Sequence, residues 1–232
     1  MVFPDISLAM EEPNGLLAVG GDLSVKRLLN AYRHGIFPWF SDDQPILWWS
    51  PNPRMVLIPT EIKISRSLKK TIRKNSFEIS FDRAFDQVLL ACAQPRPKQP
   101  STWITDEMRE AYNKLHKLGY AHSFECWQNE KLVGGLYGIS MGKMFFGESM
   151  FSFVTDASKI AFVQAVNYLK NWNYALIDCQ VETEHLASFG AKNINRNSFR
   201  DCIEKLIQEE PSSNAWNTNL NAPEQASHEM SD

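Results

Sequence analysis

The sequence predicts an α+β fold in which a small loop-rich N-terminal domain, residues 1–53, precedes a larger domain over residues 54–210. Three features carry the prediction. The first fifty residues are dense in Gly, Pro and Trp, as in EPNGLLAVGGDLS and HGIFPWFSDDQPILWWSPNPR, with one helical stretch between them. Strand-like segments at 123–128, 131–137 and 143–149 follow one another across tight connections at 129–130 and 140–142, the pattern of an antiparallel meander. A long helix over 156–172, with Ile160, Phe162, Val163, Val166 and Leu169 on one face, then leads into a strand over 175–181.

Taken in order, residues 24–34 read as a helix, because Leu28, Leu29 and Tyr32 lie at helical spacing and Gly35 stands where a C-terminal cap belongs. Residues 54–59 read as a short strand. Residues 60–75 read as an amphipathic helix, with Ile64, Leu68 and Ile72 recurring every four residues. Its outer face carries Lys63, Arg66, Lys69, Lys70, Arg73 and Lys74 against Glu61 alone, which fits either a solvated face or a surface that meets phosphates. Helices are expected over 82–93 and from the N-cap Thr105 to Gly119. Shorter helices at 184–189 and 197–208 close the order, which is similar to the core of N-acetyltransferase folds. The polar stretch 211–232 reads as a disordered tail.

With 44% hydrophobic and 22% charged residues, a chain of 232 residues can bury a sizeable core. A net charge of −3 argues against a generic nucleic-acid coat and leaves room for a local basic patch. Cys92, Cys126, Cys179 and Cys202 are far apart and form no Cys-x-x-Cys pair. The N-terminus lacks a secretory pattern, and no run reaches the roughly 18 apolar residues of a membrane helix. The expectation is a reduced, cytoplasmic, metal-free protein with no membrane partner.

Two phosphate-loop look-alikes fail. Gly15 to Gly21 has the glycine spacing of a P-loop, but Gly21 stands where the lysine must be, and Gly134-Gly135 with Gly138 is no dinucleotide fingerprint. The strand Leu176-Ile-Asp-Cys-Gln180 is more informative. Strand alternation puts Asp178 and Gln180 on one face of an otherwise apolar segment, so both need partners. They are either a structural hydrogen-bonded pair or a carboxylate and amide poised at a reacting amine. Glu148, in FFGESMF, is a second acid among aromatics with the same two readings. His185, opening a helix, reads as a surface or capping residue.

The strings EPNGLLAVGGDLS, YRHGIFPWF, ILWWSPNPR, ISRS, TWIT, AYNKLHKLGYAHSFECW, LVGGLYG, FFGESMFS, ASKIAF and LIDCQVETEHLASFGA, in this order from about residue 11 to 205, resemble the leucyl/phenylalanyl-tRNA–protein transferases. The resemblance implies an aminoacyltransferase that takes Leu or Phe, and Met less well, from aminoacyl-tRNA. It joins the residue to proteins that begin with Arg or Lys, feeding N-end-rule degradation. It further implies a small N-terminal domain and an N-acetyltransferase-like catalytic domain; the aminoacyl ester is already activated, so no cofactor is expected, and a monomer is expected. Carried over by motif, Asp178 and Gln180 are the catalytic pair and Glu148 lies near the substrate amine. Trp39, Trp103 and Tyr112 hold the terminal adenosine of the tRNA, and Leu136, Phe145 and Ile177 form the side-chain pocket. Helical spacing adds Phe162 and Leu169 to that pocket. Two rivals stand beside this reading. An acyl-CoA N-acyltransferase would need a pyrophosphate loop that the chain lacks, and a non-catalytic tRNA-binding module would leave Asp178, Gln180 and Glu148 unexplained.

Overall fold

The computed structural model describes residues 2–95 and 104–217. Strands β1 (Leu16–Val19), β2 (Phe37–Pro38) and β3 (Leu47–Trp49) form a small antiparallel sheet with β3 in the middle. Helix α1 (Val25–Arg33) lies between β1 and β2 in sequence, capped by the Ser24 side chain at one end and followed by Gly35 at φ 72°.

The second sheet has seven strands. They are β4 (Arg54–Leu57), β5 (Glu78–Phe81), β6 (Ala121–Gln128), β7 (Lys131–Met141), β8 (Met144–Ser152), β9 (Leu176–Gln180) and β10 (Lys192–Ile194). Their order is β10-β4-β9-β8-β7-β6-β5. The expected meander is β6–β8, turned at Asn129-Glu130, where both residues have positive φ as a two-residue hairpin requires. Helices α2 (Arg66–Arg73), α3 (Phe85–Ala93), α4 (Asp106–Lys117), α5 (Ala157–Asn171), α6 (Glu184–Ser188) and α7 (Arg196–Leu206) complete the fold. Helix α5 carries the chain over the sheet, so β8 and β9 pair in parallel while every other neighbouring pair is antiparallel.

Both faces of this sheet are apolar, and strand alternation sorts the side chains. Val56, Tyr137, Phe146 and Leu176 join α1, α3, α4, α7 and the small sheet in one buried cluster. Their neighbours Leu57, Leu136, Phe145 and Ile177 join α5 and Leu68 of α2 in another. The α+β class is thus the one expected.

Local differences have local causes. The basic helix expected over 60–75 is only α2: a 3-10 turn occupies Pro59–Glu61, Ser65 caps α2 through the Leu68 N–H, and Asn75 ends it at φ 48°. The first part of the segment expected as a tail is packed onto the fold, because Trp216 is inserted among aromatic side chains. The short strands β1–β3, β5 and β10 escaped periodicity because two to four residues cannot display a period.

Candidate active site

The parallel pairing of β8 with β9 ends at Phe146–Asp178. Beyond that point both strands are irregular. Tyr137 pairs with Ser149 and Gly138 with Gly147, which leaves Glu148 as the extra residue of a β-bulge. On β9, Val56 pairs with Asp178 and Met55 with Gln180, which leaves Cys179 as the extra residue of a second bulge. Gln180 is left-handed at φ 60°, a conformation that costs a non-glycine residue about 1–3 kcal/mol and concentrates at functional sites.

These irregularities redirect the two side chains expected to share a face. Asp178 is fully buried and forms a bidentate pair with Arg54, at 2.8 Å from Oδ1 to Nε and 2.6 Å from Oδ2 to Nη2. Arg54 is itself sandwiched between the rings of Phe37 and Phe199, 4.7 and 4.6 Å from their centroids, and donates to the Gly35 carbonyl. Asp178 Oδ1 also accepts the backbone N–H of Gln180 at 2.9 Å. The Gln180 side-chain amide bonds elsewhere, donating to Glu148 Oε1 at 3.0 Å. Asp178 therefore acts on Gln180 through its backbone N–H and not through the side-chain contact that strand alternation predicts.

Glu148 is the hub. Tyr32 of α1 and Tyr112 of α4 donate to its two oxygens at 2.8 Å each, and the two hydroxyls also contact one another. Burial pushes the Glu148 carboxyl up to about 8, against the pull of the two tyrosine hydrogen bonds. Burial and the neighbouring Glu148 also raise both tyrosines well above the ordinary range, so they serve as neutral donors.

Beside this network opens a cavity of about 300 Å³. Leu136, Phe145, Phe162, Leu169 and Ile177, chosen from sequence, all line it, together with Met150, Val166 and Leu186. Glu148, Asp178 and Gln180 stand at its polar end. The sequence reading passed over Arg54 and Tyr32. A cation opening an apolar strand was a signal for the first; the second was hidden in the apolar stripe of its helix. His185 lines the cavity rather than the surface; burial lowers its proton affinity, and its Nε2 has no hydrogen-bond partner among the described residues.

Among the described residues, the remaining expected ones do not line the cavity. Tyr112 presents no ring surface, being fully buried with its hydroxyl on Glu148. Trp39 is half exposed on the small sheet, tilted against Trp49 at 5.8 Å and outside the cavity lining. Trp103 lies outside the described residues. Lys63, Arg66, Lys69, Lys70, Arg73 and Lys74 are all exposed, and among the described residues none has an ion-pair partner. The Lys63 backbone N–H donates to the carbonyl of Phe189, immediately after α6, whose His185 and Leu186 line the cavity. Among the described residues no three His, Cys, Asp or Glu side chains could hold a metal ion, and no helix is long and apolar enough to cross a membrane.

An apolar cavity lined by a carboxyl–amide network beside a buried ion pair can hold an apolar side chain with a polar group next to it. Comparison with known proteins makes the class a transferase. The family model for leucyl/phenylalanyl-tRNA protein transferase matches residues 56–204, and that for its N-terminal domain matches residues 21–52. Curated leucyl/phenylalanyl-tRNA–protein transferases share much of the sequence. That of Saccharophagus degradans is 53% identical over 96% of this chain and 93% of its own length. That of Azotobacter vinelandii is 57% identical over 87% and 89%. The chain belongs to the leucyl/phenylalanyl-tRNA–protein transferase family, and it is an aminoacyl-tRNA–protein transferase. A solved structure, L-PGS from Bacillus licheniformis, aligns over 78% of this chain and 62% of that one at 10% identity. Its TM-score of 0.40 is too low to bear on function.

Proposed function

We propose that this enzyme transfers Leu or Phe, and Met less efficiently, from charged tRNA to the α-amine of proteins beginning with Arg or Lys, in the cytoplasm and as a monomer, marking them for N-end-rule degradation. The observation that carries the donor side is the cavity: apolar side chains surround it and Glu148 and Gln180 stand at its polar end. Apolar walls separate Leu and Phe from polar residues well. They separate Met poorly, since a methylene-scale difference is worth only about 1–3 kcal/mol.

In this reading the aminoacyl ester is already activated, so the step needs no second activation and no cofactor. The acceptor nitrogen attacks the ester carbonyl carbon, the bond to the ribose oxygen breaks, and the amine proton passes through Glu148 to that oxygen. Glu148 is the catalytic base, because its carboxyl lies close to neutral pH and three hydrogen bonds aim it. Gln180 orients the amine. Asp178, clasped by Arg54, is a positioning residue that fixes the unusual backbone of Gln180. The exposed cations of α2 and its flanks receive tRNA phosphates, and Lys63 connects that surface to the rim through Phe189. The family resemblance gives Trp39 and Trp103 to the terminal adenosine, while Tyr112, buried with its hydroxyl on Glu148, serves the carboxyl instead.

The test is transfer itself: purified protein, radiolabelled Leu-tRNA and an Arg-initiated acceptor. Label should appear on the acceptor N-terminus without added nucleotide. Binding of Leu-tRNA with no transfer to any acceptor would leave a tRNA-binding module and overturn the reading.

A further inference from the structure

The chain after α7 turns back over the large sheet, and Trp216 enters a box of aromatic rings. Its indole stacks on His122 with ring centroids 3.7 Å apart and planes 9° from parallel. It meets Trp172 at 4.7 Å and Phe124 at 5.4 Å, and donates its N–H to the Tyr174 hydroxyl at 2.7 Å. The Ser212 N–H donates to the Trp172 carbonyl at 2.9 Å, so directional bonds pin the segment at two points.

Phe145 lies between this box and the cavity. Its ring is 2% exposed, lines the cavity, and faces Trp216 at 6.1 Å with planes 28° apart. Phe124 holds it edge-on at 6.1 Å. A Cβ at Gly138 would stand 2.7 Å from the same ring, so the ring presses on bare backbone there. Wedged on these sides, Phe145 has no room to retreat while Trp216 is in place. Interiors are close-packed, and a wall of this kind yields only if something behind it is removed.

We propose that Trp216 is a specificity-determining residue: from outside the cavity it holds Phe145 forward and so sets the size of side chain the site accepts. The inference rests on the donor reading given above. Removing the indole lets Phe145 relax backward, and the enlarged site gains for Phe relative to Leu.

The experiment compares kcat/KM for Phe-tRNA and Leu-tRNA on the wild-type chain and on Trp216→Ala. The ratio of the two is independent of how much of each preparation is folded, so a purely stabilising role would not move it. It should rise about tenfold in favour of Phe, the low end of what a methylene-sized change in an apolar pocket commands. Trp216→Phe, which refills the box, should return most of the wild-type ratio. Should Trp216→Ala not fold, Trp216→Leu keeps part of the volume and carries the same expected direction. An unchanged ratio overturns the inference alone. Failure of the wild-type chain to transfer either residue overturns the donor reading and the inference with it.

Discussion

Gln180 gives its side-chain amide to Glu148 at 3.0 Å across the gap where β8 and β9 stop pairing. Each residue sits at an irregularity of its own strand, the one left-handed at φ 60°, the other extra in a bulge. A strained backbone at Gln180 and a bulge at Glu148 together turn an amide and a carboxyl toward each other.

The rate of transfer should depend on the ionisation of Glu148. Its carboxyl is raised to about 8 and must lose its proton before it accepts another from the amine, whose own unperturbed value is about 7.7–8.0. Log rate should therefore climb with a slope approaching two below about pH 7 and flatten above about pH 8. Glu148→Gln should cost about 10²–10⁴ in rate and reduce the slope toward one. A slope of two that survives the substitution would remove Glu148 as the base.

The same group makes stability pH-dependent, with a sign opposite to that of most carboxylates. Glu148 titrates at about 8 when folded against 4.5 ordinarily, so between these values the folded chain binds the proton that the unfolded chain has released. Its contribution is complete below about pH 4.5 and disappears as pH rises through about 8, at no more than about 1.4 kcal/mol per pH unit. Urea titrations from pH 5 to 8 on the wild-type chain and Glu148→Gln should show a falling stability that the variant flattens. Parallel pH profiles would contradict the raised value.

Breaking the Arg54–Asp178 pair on one side should be far worse than removing both charges. Arg54→Met strands a buried carboxylate and should destabilise the fold by about 3–5 kcal/mol. Arg54→Met combined with Asp178→Asn should recover much of that deficit, while transfer by the folded double variant stays severely depressed. Additive destabilisation in thermal melts would argue against coupling, and normal turnover would deny Asp178 its positioning role.

Charge reversal on α2 addresses the donor tRNA. Replacing Lys69, Lys70 and Arg73 by Glu should weaken charged-tRNA binding and flatten its salt dependence, by roughly 0.7–0.9 in log–log slope for each phosphate no longer neutralised. The three side chains are exposed, so melting temperature should barely change. Unaltered affinity and slope would return α2 to an ordinary solvated face.

By itself the sequence determined the elements long enough to show a period and the residues whose chemistry is conspicuous. The stripe of α5, the meander of β6 to β8, the basic run before Asn75, and the acid and amide of Leu176–Gln180 are all local patterns, visible without knowing what packs against them. What only the tertiary structure decided is who meets whom. Strand alternation wrongly joined the side chains of Asp178 and Gln180, because two one-residue bulges reset the faces, and a bulge is a property of two paired strands. Arg54 and Asp178 are 124 positions apart, and Tyr32 and Glu148 116, so no local rule connects them. By its local sequence Trp216 belongs to a polar tail; the aromatic box that receives it is assembled from β5, β6, β8 and Trp172 at the end of α5. Burial makes each of these groups require a partner, and which partner is set by the packing of elements distant in the chain.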